Sequence, residues 1–145
     1  MSAERNASLD FAAAGSFTIA LAHVVAIVVG GPAYRYMGAE PLGALAESGS
    51  WVPAIVTTLV TMVFVVFGLY ALAGAGRMPP LPWTRATLFI IGAVYALRGL
   101  VVIGDVVGSL RVPGYPARRA VFSAISLAIG LLYVFGAARM PRRES

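Results

Sequence analysis

"ATLFIIGAVYALRGLVVIGDVV", residues 86–107, decides how this chain is read. The run matches the ~20 residues that a helix needs to cross the ~30 Å hydrocarbon core of a bilayer. In lipid every backbone N–H and C=O must be bonded within the segment, so a helix is the form expected of it. Yet the run carries Arg98 near its middle and Asp105 near its end. A charge at mid-helix costs about 2.5–3.5 kcal/mol on insertion scales. A chain that keeps one there needs a physical reason.

Three further segments have the same character: 11–30 (FAAAGSFTIALAHVVAIVVG), 52–73 (VPAIVTTLVTMVFVVFGLYALA) and 120–138 (AVFSAISLAIGLLYVFGAA). Helix breakers fall between them: Gly31, Pro32 and Pro41, then Pro79, Pro80 and Pro82, then Pro113 and Pro116. Composition agrees. Of 145 residues, 59% are hydrophobic and 12% charged, against about 25% charged in soluble domains. The mean hydropathy is +0.85. The expected fold is an all-α, four-helix transmembrane bundle, a single integral membrane domain over 1–145. The leader before the first span sets Arg5 against Glu4 and Asp10, a poor positive n-region, and the apolar run is long for a signal peptide. The first span is therefore expected to be retained.

All eleven basic residues are arginine, and the net charge is +5. They mostly flank the apolar runs instead of lining one helix face, which is a topology signal and not a nucleic-acid footprint. Arg5, Arg77, Arg85, Arg139, Arg142 and Arg143 fall on one side, and Arg35, Arg111, Arg118 and Arg119 on the other. The heavier side predicts both termini in the cytoplasm of a multi-pass protein. Trp51 and Trp83 stand beside span ends, where aromatic belts form. The tail RMPRRES would meet the anionic inner leaflet as a stop-transfer cluster. Spans 2 and 4 end alike, in GLYALAGAGRMP (68–79) and GLLYVFGAARMP (130–141). Either the chain is two pseudo-repeated hairpins, about 11–79 and 86–141, or any span leaving on that side selects Tyr, small residues and Arg.

Arg98 lies about twelve residues into its span, or ~18 Å along the axis. Side chains lean towards the helix N-terminus. In the expected orientation that directs Arg98 to the bilayer centre, so snorkelling outwards is awkward. Asp105 lies two turns further on the same face and leans back. Direct contact needs an extended guanidinium, and a water or hydroxyl bridges otherwise. Tyr95, at i−3, joins the stripe. Counting inwards from the outer ends places Thr61, His23 and Ser126 at a comparable depth on the other spans. Small or polar faces suited to helix packing recur: Ser16, Ile19, His23 and Gly30; Thr57, Thr61, Phe64 and Gly68; Ser123, Ser126, Gly130, Tyr133 and Ala137. The long first outer loop begins with Tyr34, Arg35 and Tyr36. It either lids a cavity, with Arg35 pairing Asp105, or anchors at the interface. Its GALAE segment suggests a short helical turn.

The chemistry is narrow. One His, no Cys and scattered carboxylates form no metal set, and no cofactor is expected. There is no nucleophile elbow, Walker A or GxGxxG motif, so an enzyme is disfavoured. Intramembrane charge marks function by default. The leading expectation is a non-enzymatic membrane protein whose Arg98-centred pocket binds a small anionic or carbonyl-bearing amphiphile, lipid or quinone-like. Arg98, Asp105, Tyr95, His23, Thr61 and Ser126 would line it, with Tyr34, Arg35 and Tyr36 as lid. The rival for Arg98 is a structural bridge to Asp105 that fixes helix register. Two other classes fit the same features. One is an accessory subunit that binds another membrane protein, or a second copy of itself, through helix–helix contacts. The other is a small oligomeric transporter with His23 and Asp105 as proton carriers.

GGPAYRYMGA (30–39), VPAIVTTLV (52–60), FGLYALAGAG (67–76) and LPWTRATLFIIGAVYALRGL (81–100) together follow a pattern. It runs G-x-x-x-Y-R-x-x-G, a P-A-x-x-T span, G-L-Y-A-L-x-G-A-G, then a Y-x-L-R-G-L span. In this the chain resembles a group of small bacterial inner-membrane proteins of about this length. The resemblance implies four helices and no assigned function. The charged intramembrane positions of the DoxX-like four-helix proteins have no counterpart in spans 1 and 2.

Overall fold

The computed structural model describes residues 6–141. Arg5, Arg142 and Arg143, and with them the end of the RMPRRES tail, lie outside the described residues. Among the described residues the only regular structure is helical. Four helices are long and apolar enough to cross a membrane: α1 (Ala7–Val29), α4 (Val52–Gly74), the stretch Thr84–Arg111, and α7 (Arg118–Ala138). The third comprises α5 (Thr84–Leu100) and α6 (Val102–Arg111), separated by the turn residue Val101. Two short helices, α2 (Gly31–Tyr36) and α3 (Glu40–Glu47), occupy the loop between α1 and α4. The GALAE segment falls within α3. The four spans thus lie where length and composition place them, and most begin a few residues earlier.

Local chemistry explains the ends. α2 and α3 each carry Pro in the first turn, where its missing N–H costs nothing. α4 ends at Gly74 and the chain turns at Gly76, whose φ of 76° is open to glycine; the next N–H, of Arg77, closes back on the Leu72 carbonyl at 2.9 Å. The interruption at Val101 falls in the β-branched run Val101-Val102-Ile103, a poor helix former. The ladder resumes at once, the Asp105 N–H reaching the Val101 carbonyl at 3.0 Å.

The side-chain distribution is that of helices in lipid. Leu21, Ile90 and Leu97 are 63%, 65% and 68% exposed, whereas the buried positions are largely Ala, Gly, Ser, Thr and Tyr. A water-soluble helical domain buries its large aliphatics. Here small residues face inwards so that backbones can approach.

The chain forms two compact units, one from the residues up to Ala14 together with those from Leu69 onwards, the other Gly15–Gly68. In the first unit α5 and α7 pack most intimately. A methyl on Gly130 would stand 2.7 Å from the Ala96 nitrogen, and one on Gly92 would stand 3.1 Å from the Gly130 carbonyl. A methyl on Gly99 would fall onto the Leu127 backbone. The Tyr95 and Tyr133 rings stack between the helices at 5.7 Å, Tyr133 fully buried. The start of α1 completes this unit. Asn6 Nδ2 donates to the Gly136 carbonyl at 2.8 Å, Leu9 fills the space beside Gly74 and Gly136, and Arg77 clasps Asp10 through two bonds of 2.9 and 2.8 Å.

In the second unit Phe17 covers Gly68, and Phe64 lies against both His23 and Phe67. α2 and α3 are held by Arg35, which bonds Glu40 and reaches Glu47 through Nε (3.1 Å) and Nη2 (2.6 Å).

These contacts give a direct test of the α5–α7 seam. Gly99→Leu and Gly130→Val are expected to destabilise the protein by about 1–3 kcal/mol each, as overpacked sites do. Gly104→Ala, where an added methyl meets nothing within 4 Å, is expected to be neutral. Denaturation in detergent, read by helical circular dichroism, distinguishes them. Equal effects at all three positions would refute the seam.

Candidate functional site

α5 buries Thr84, Leu88, Ile91, Gly92, Tyr95 and Gly99, a stripe at helical spacing turned towards α7. At ~100° per residue, Arg98 sits at the border of that stripe, beside both Tyr95 and Gly99. The residue is exposed, unlike its neighbours in the stripe. Thr84–Arg111 places Arg98 at the middle of the span, ~20 Å along the axis from Arg111.

Arg98 and Asp105 are brought together, but not directly. Arg98 Nη1 donates to Ser123 Oγ at 3.1 Å, and Ser123 Oγ donates to Asp105 Oδ2 at 2.6 Å. A serine hydroxyl has one proton to give and lone pairs to accept with, so the bridge has a fixed polarity. Ser123 is fully buried and Asp105 is 4% exposed. The other carboxylate oxygen, Oδ1, accepts from Tyr115 OH at 2.6 Å and lies 3.9 Å from Arg119 Nε. The Arg119 guanidinium stands over the Tyr115 ring at 5.5 Å. The result is one connected chain: Arg98, Ser123, Asp105, Tyr115, Arg119.

The connector after α6 puts Tyr115 there. Val112-Pro113-Gly114-Tyr115 closes as a tight turn, with the Tyr115 N–H on the Val112 carbonyl at 3.1 Å and Gly114 at φ 79°. Pro then Gly at the two central positions is the composition of a type II turn. The turn folds Tyr115 back onto α6. Gly108 leaves the room, since a methyl there would come 2.8 Å from the ring. Tyr115, Arg119 and Ser123 in this role were not singled out from the sequence. Val-Pro-Gly-Tyr was the signal for the first. The serine was visible only as one of several small residues on α7.

The remaining sequence candidates have local partners. Tyr95 is buried against Tyr133. Ser126 donates to the Phe122 carbonyl at 3.0 Å, and Thr61 to the Thr57 carbonyl at 2.7 Å, each within its own helix. His23 Nδ1 lies 2.8 Å from the Ile19 carbonyl; a carbonyl only accepts, so this nitrogen carries the proton. His23 and Thr61 belong to the Gly15–Gly68 unit, and Arg98, Asp105, Tyr95 and Ser126 to the other. Arg35 is engaged by Glu40 and Glu47. The sequence-based pairing of Arg35 with Asp105 is replaced by this clamp, because two carboxylates lie nearby in the same loop. Tyr34 is buried, with no hydrogen-bond partner for its hydroxyl, and Tyr36 is 60% exposed.

No family model, curated protein or solved structure matches this chain.

Electrostatics outside the spans follow from these bonds. Donation to the Asp105 carboxylate holds the Tyr115 phenol above its usual range, with burial acting the same way. Arg35 holds the Glu47 carboxyl below the usual range, through its hydrogen bond above all. The two signs are opposite. The raised phenol means that the Tyr115 contribution is complete below the ordinary phenol value of about 10. It is lost as pH rises through the folded-state value. In the phenolate absorbance titration, wild type should show one phenol titrating late that Tyr115→Phe lacks, and Asp105→Asn should bring it earlier. The lowered Glu47 means that the α2–α3 clamp is complete above about pH 4.3 and is lost as pH falls through the folded-state value. Carboxyl NMR of Arg35→Gln should show the Glu47 midpoint moved upwards; an unmoved midpoint would remove the clamp from consideration.

Proposed function

We propose that this integral membrane protein binds an amphiphile whose head presents acceptor oxygens to Arg98. One observation carries the reading. A guanidinium at the middle of an apolar span is fixed on one side to Ser123 and otherwise stands exposed. A planar fork of five donors suits bidentate recognition of oxygens. Ser123 and Asp105 act as the positioning pair. The carboxylate aligns the hydroxyl, and the hydroxyl turns its lone pairs to Arg98. Tyr115, from the connector after α6, and Arg119, from the start of α7, secure the carboxylate. Tyr95 stiffens the adjoining seam through its stack on Tyr133.

The arginine distribution supports a topology with both termini in the cytoplasm and the Asp105 end of the site towards the outer face, and the resemblance to small bacterial inner-membrane proteins supports that membrane as its location. Nothing in the chemistry of the Arg98 chain calls for bond making. Its hydroxyls and carboxylate are committed to one another, and its guanidinium offers donors and no acceptor. Binding, and not catalysis, is the activity that this arrangement serves.

The test is native mass spectrometry of protein extracted in mild detergent. Wild type should retain a bound amphiphile, and Arg98→Gln should lose it while keeping a monodisperse profile and full helical content. Retention of the amphiphile by the variant would refute the reading. Loss of the folded protein itself would make Arg98 a structural bridge.

A further inference from the structure

The site as proposed admits either a neutral carbonyl or an anion. We infer that Arg98 takes a monoanionic amphiphile, a head group with one negative charge spread over oxygens, such as a phosphodiester or a carboxylate. The inference rests on the amphiphile-binding reading above and narrows its ligand class.

The argument is an account of charge. Two guanidinium groups, Arg98 and Arg119, share the single carboxylate of Asp105. Arg119 has the direct approach, at 3.9 Å, and is itself 56% exposed at the start of α7. Arg98 reaches the carboxylate only through the Ser123 hydroxyl. One positive charge is therefore left over, and it is the one at mid-span, where hydrocarbon screens it least.

The chain has no further anion to offer among the described residues. Both oxygens of Asp105 are occupied, Oδ2 by Ser123 and Oδ1 by Tyr115. Asp10 is held by Arg77, and Glu40 and Glu47 by Arg35. A second copy of the chain would bring, among the described residues, the same committed carboxylates. A neutral carbonyl would give Arg98 an acceptor but leave its charge uncompensated. A single negative charge balances the group, and a second would overshoot. The exposed apolar side chains beside Arg98, Val94, Leu97 and Val101, give an acyl chain its surface.

Purified protein in neutral detergent, titrated with defined probes and read by native mass spectrometry, tests this. The probes are phosphatidylglycerol and oleate, each with one negative charge, zwitterionic phosphatidylethanolamine, and a short-chain ubiquinone analogue. Charge-assisted bonds exceed neutral ones by enough to expect the monoanions to bind about tenfold tighter than the other two. They should saturate at one per chain. Arg98→Gln should abolish that preference, and Arg98→Lys, which keeps the charge without the fork, should retain it in weakened form. Binding of both monoanions supports the inference. Binding of only one supports it too, and identifies the source as a lipid phosphodiester or a fatty-acid carboxylate. If the quinone analogue binds as tightly as the anions and does so through Arg98, the monoanion inference falls and the amphiphile site stands. If no probe depends on Arg98, both fall. Should Arg98→Gln fail to fold, the ranking on wild type and on Arg98→Lys decides alone: no preference for the monoanions overturns the inference.

Discussion

The close approach of α5 and α7 is the constraint on which the rest depends. Glycines at 92, 99 and 130 let the two backbones come within a methyl group of each other. Only at that separation can a side chain as short as serine reach from α7 to both Arg98 and Asp105. A longer bridging residue would span a wider gap but could not offer one proton and one lone pair at so fixed a position. The seam and the polar chain are thus one feature. Glycine supplies the proximity, serine supplies the directional link, and the carboxylate supplies the charge that makes the link worth its burial.

The four spans were legible because the bilayer imposes a length and a polarity that composition cannot disguise. The Arg98–Asp105 relation was legible for the same reason. Two turns of helix fix their spacing, and the need for a bridge follows from the reach of an arginine. What the sequence did not disclose is which neighbour provides that bridge. Depth counting ranks residues along the membrane normal but carries no rotation about each helix and no side-chain reach, so it favours Ser126, nearer the depth of Arg98, over Ser123 one turn away. In the structure one donates to a carboxylate on another helix and the other to its own backbone. Tyr115 escaped for a different reason. Connectors invite attention to their breakers, and the breaker pair Pro113-Gly114 is what turns the next residue back onto α6 and the buried Asp105. The break at Val101 is written only weakly, as a run of β-branched residues within an otherwise helical span.

The arginine loop shows the same limit from the other side. Arg35 begins the connector after α1, and Glu40 and Glu47 fall on one short helix. Their proximity in the chain is enough to satisfy the guanidinium locally, and a nearby acid wins over a distant one because it costs little loop entropy to recruit. Arg77 and Asp10 are the contrary case. They are far apart in sequence, and no local pattern predicts their meeting. The leader aspartate that reads as a blemish in a signal sequence is the partner that ties the start of the first span to the end of the second.

That tie has a consequence in time. The Gly15–Gly68 unit is made of consecutive residues and can assemble while the remainder is still being synthesised. The other unit is built from both ends of the chain. Asn6 must wait for Gly136, 130 positions later, before its amide is satisfied. Until the last span has emerged, the first turns of α1 have neither the Gly136 carbonyl nor the surface that Leu9 fills. The unit that holds the start of α1 can therefore close only after α7 has been made, whereas the Gly15–Gly68 unit need not wait for it.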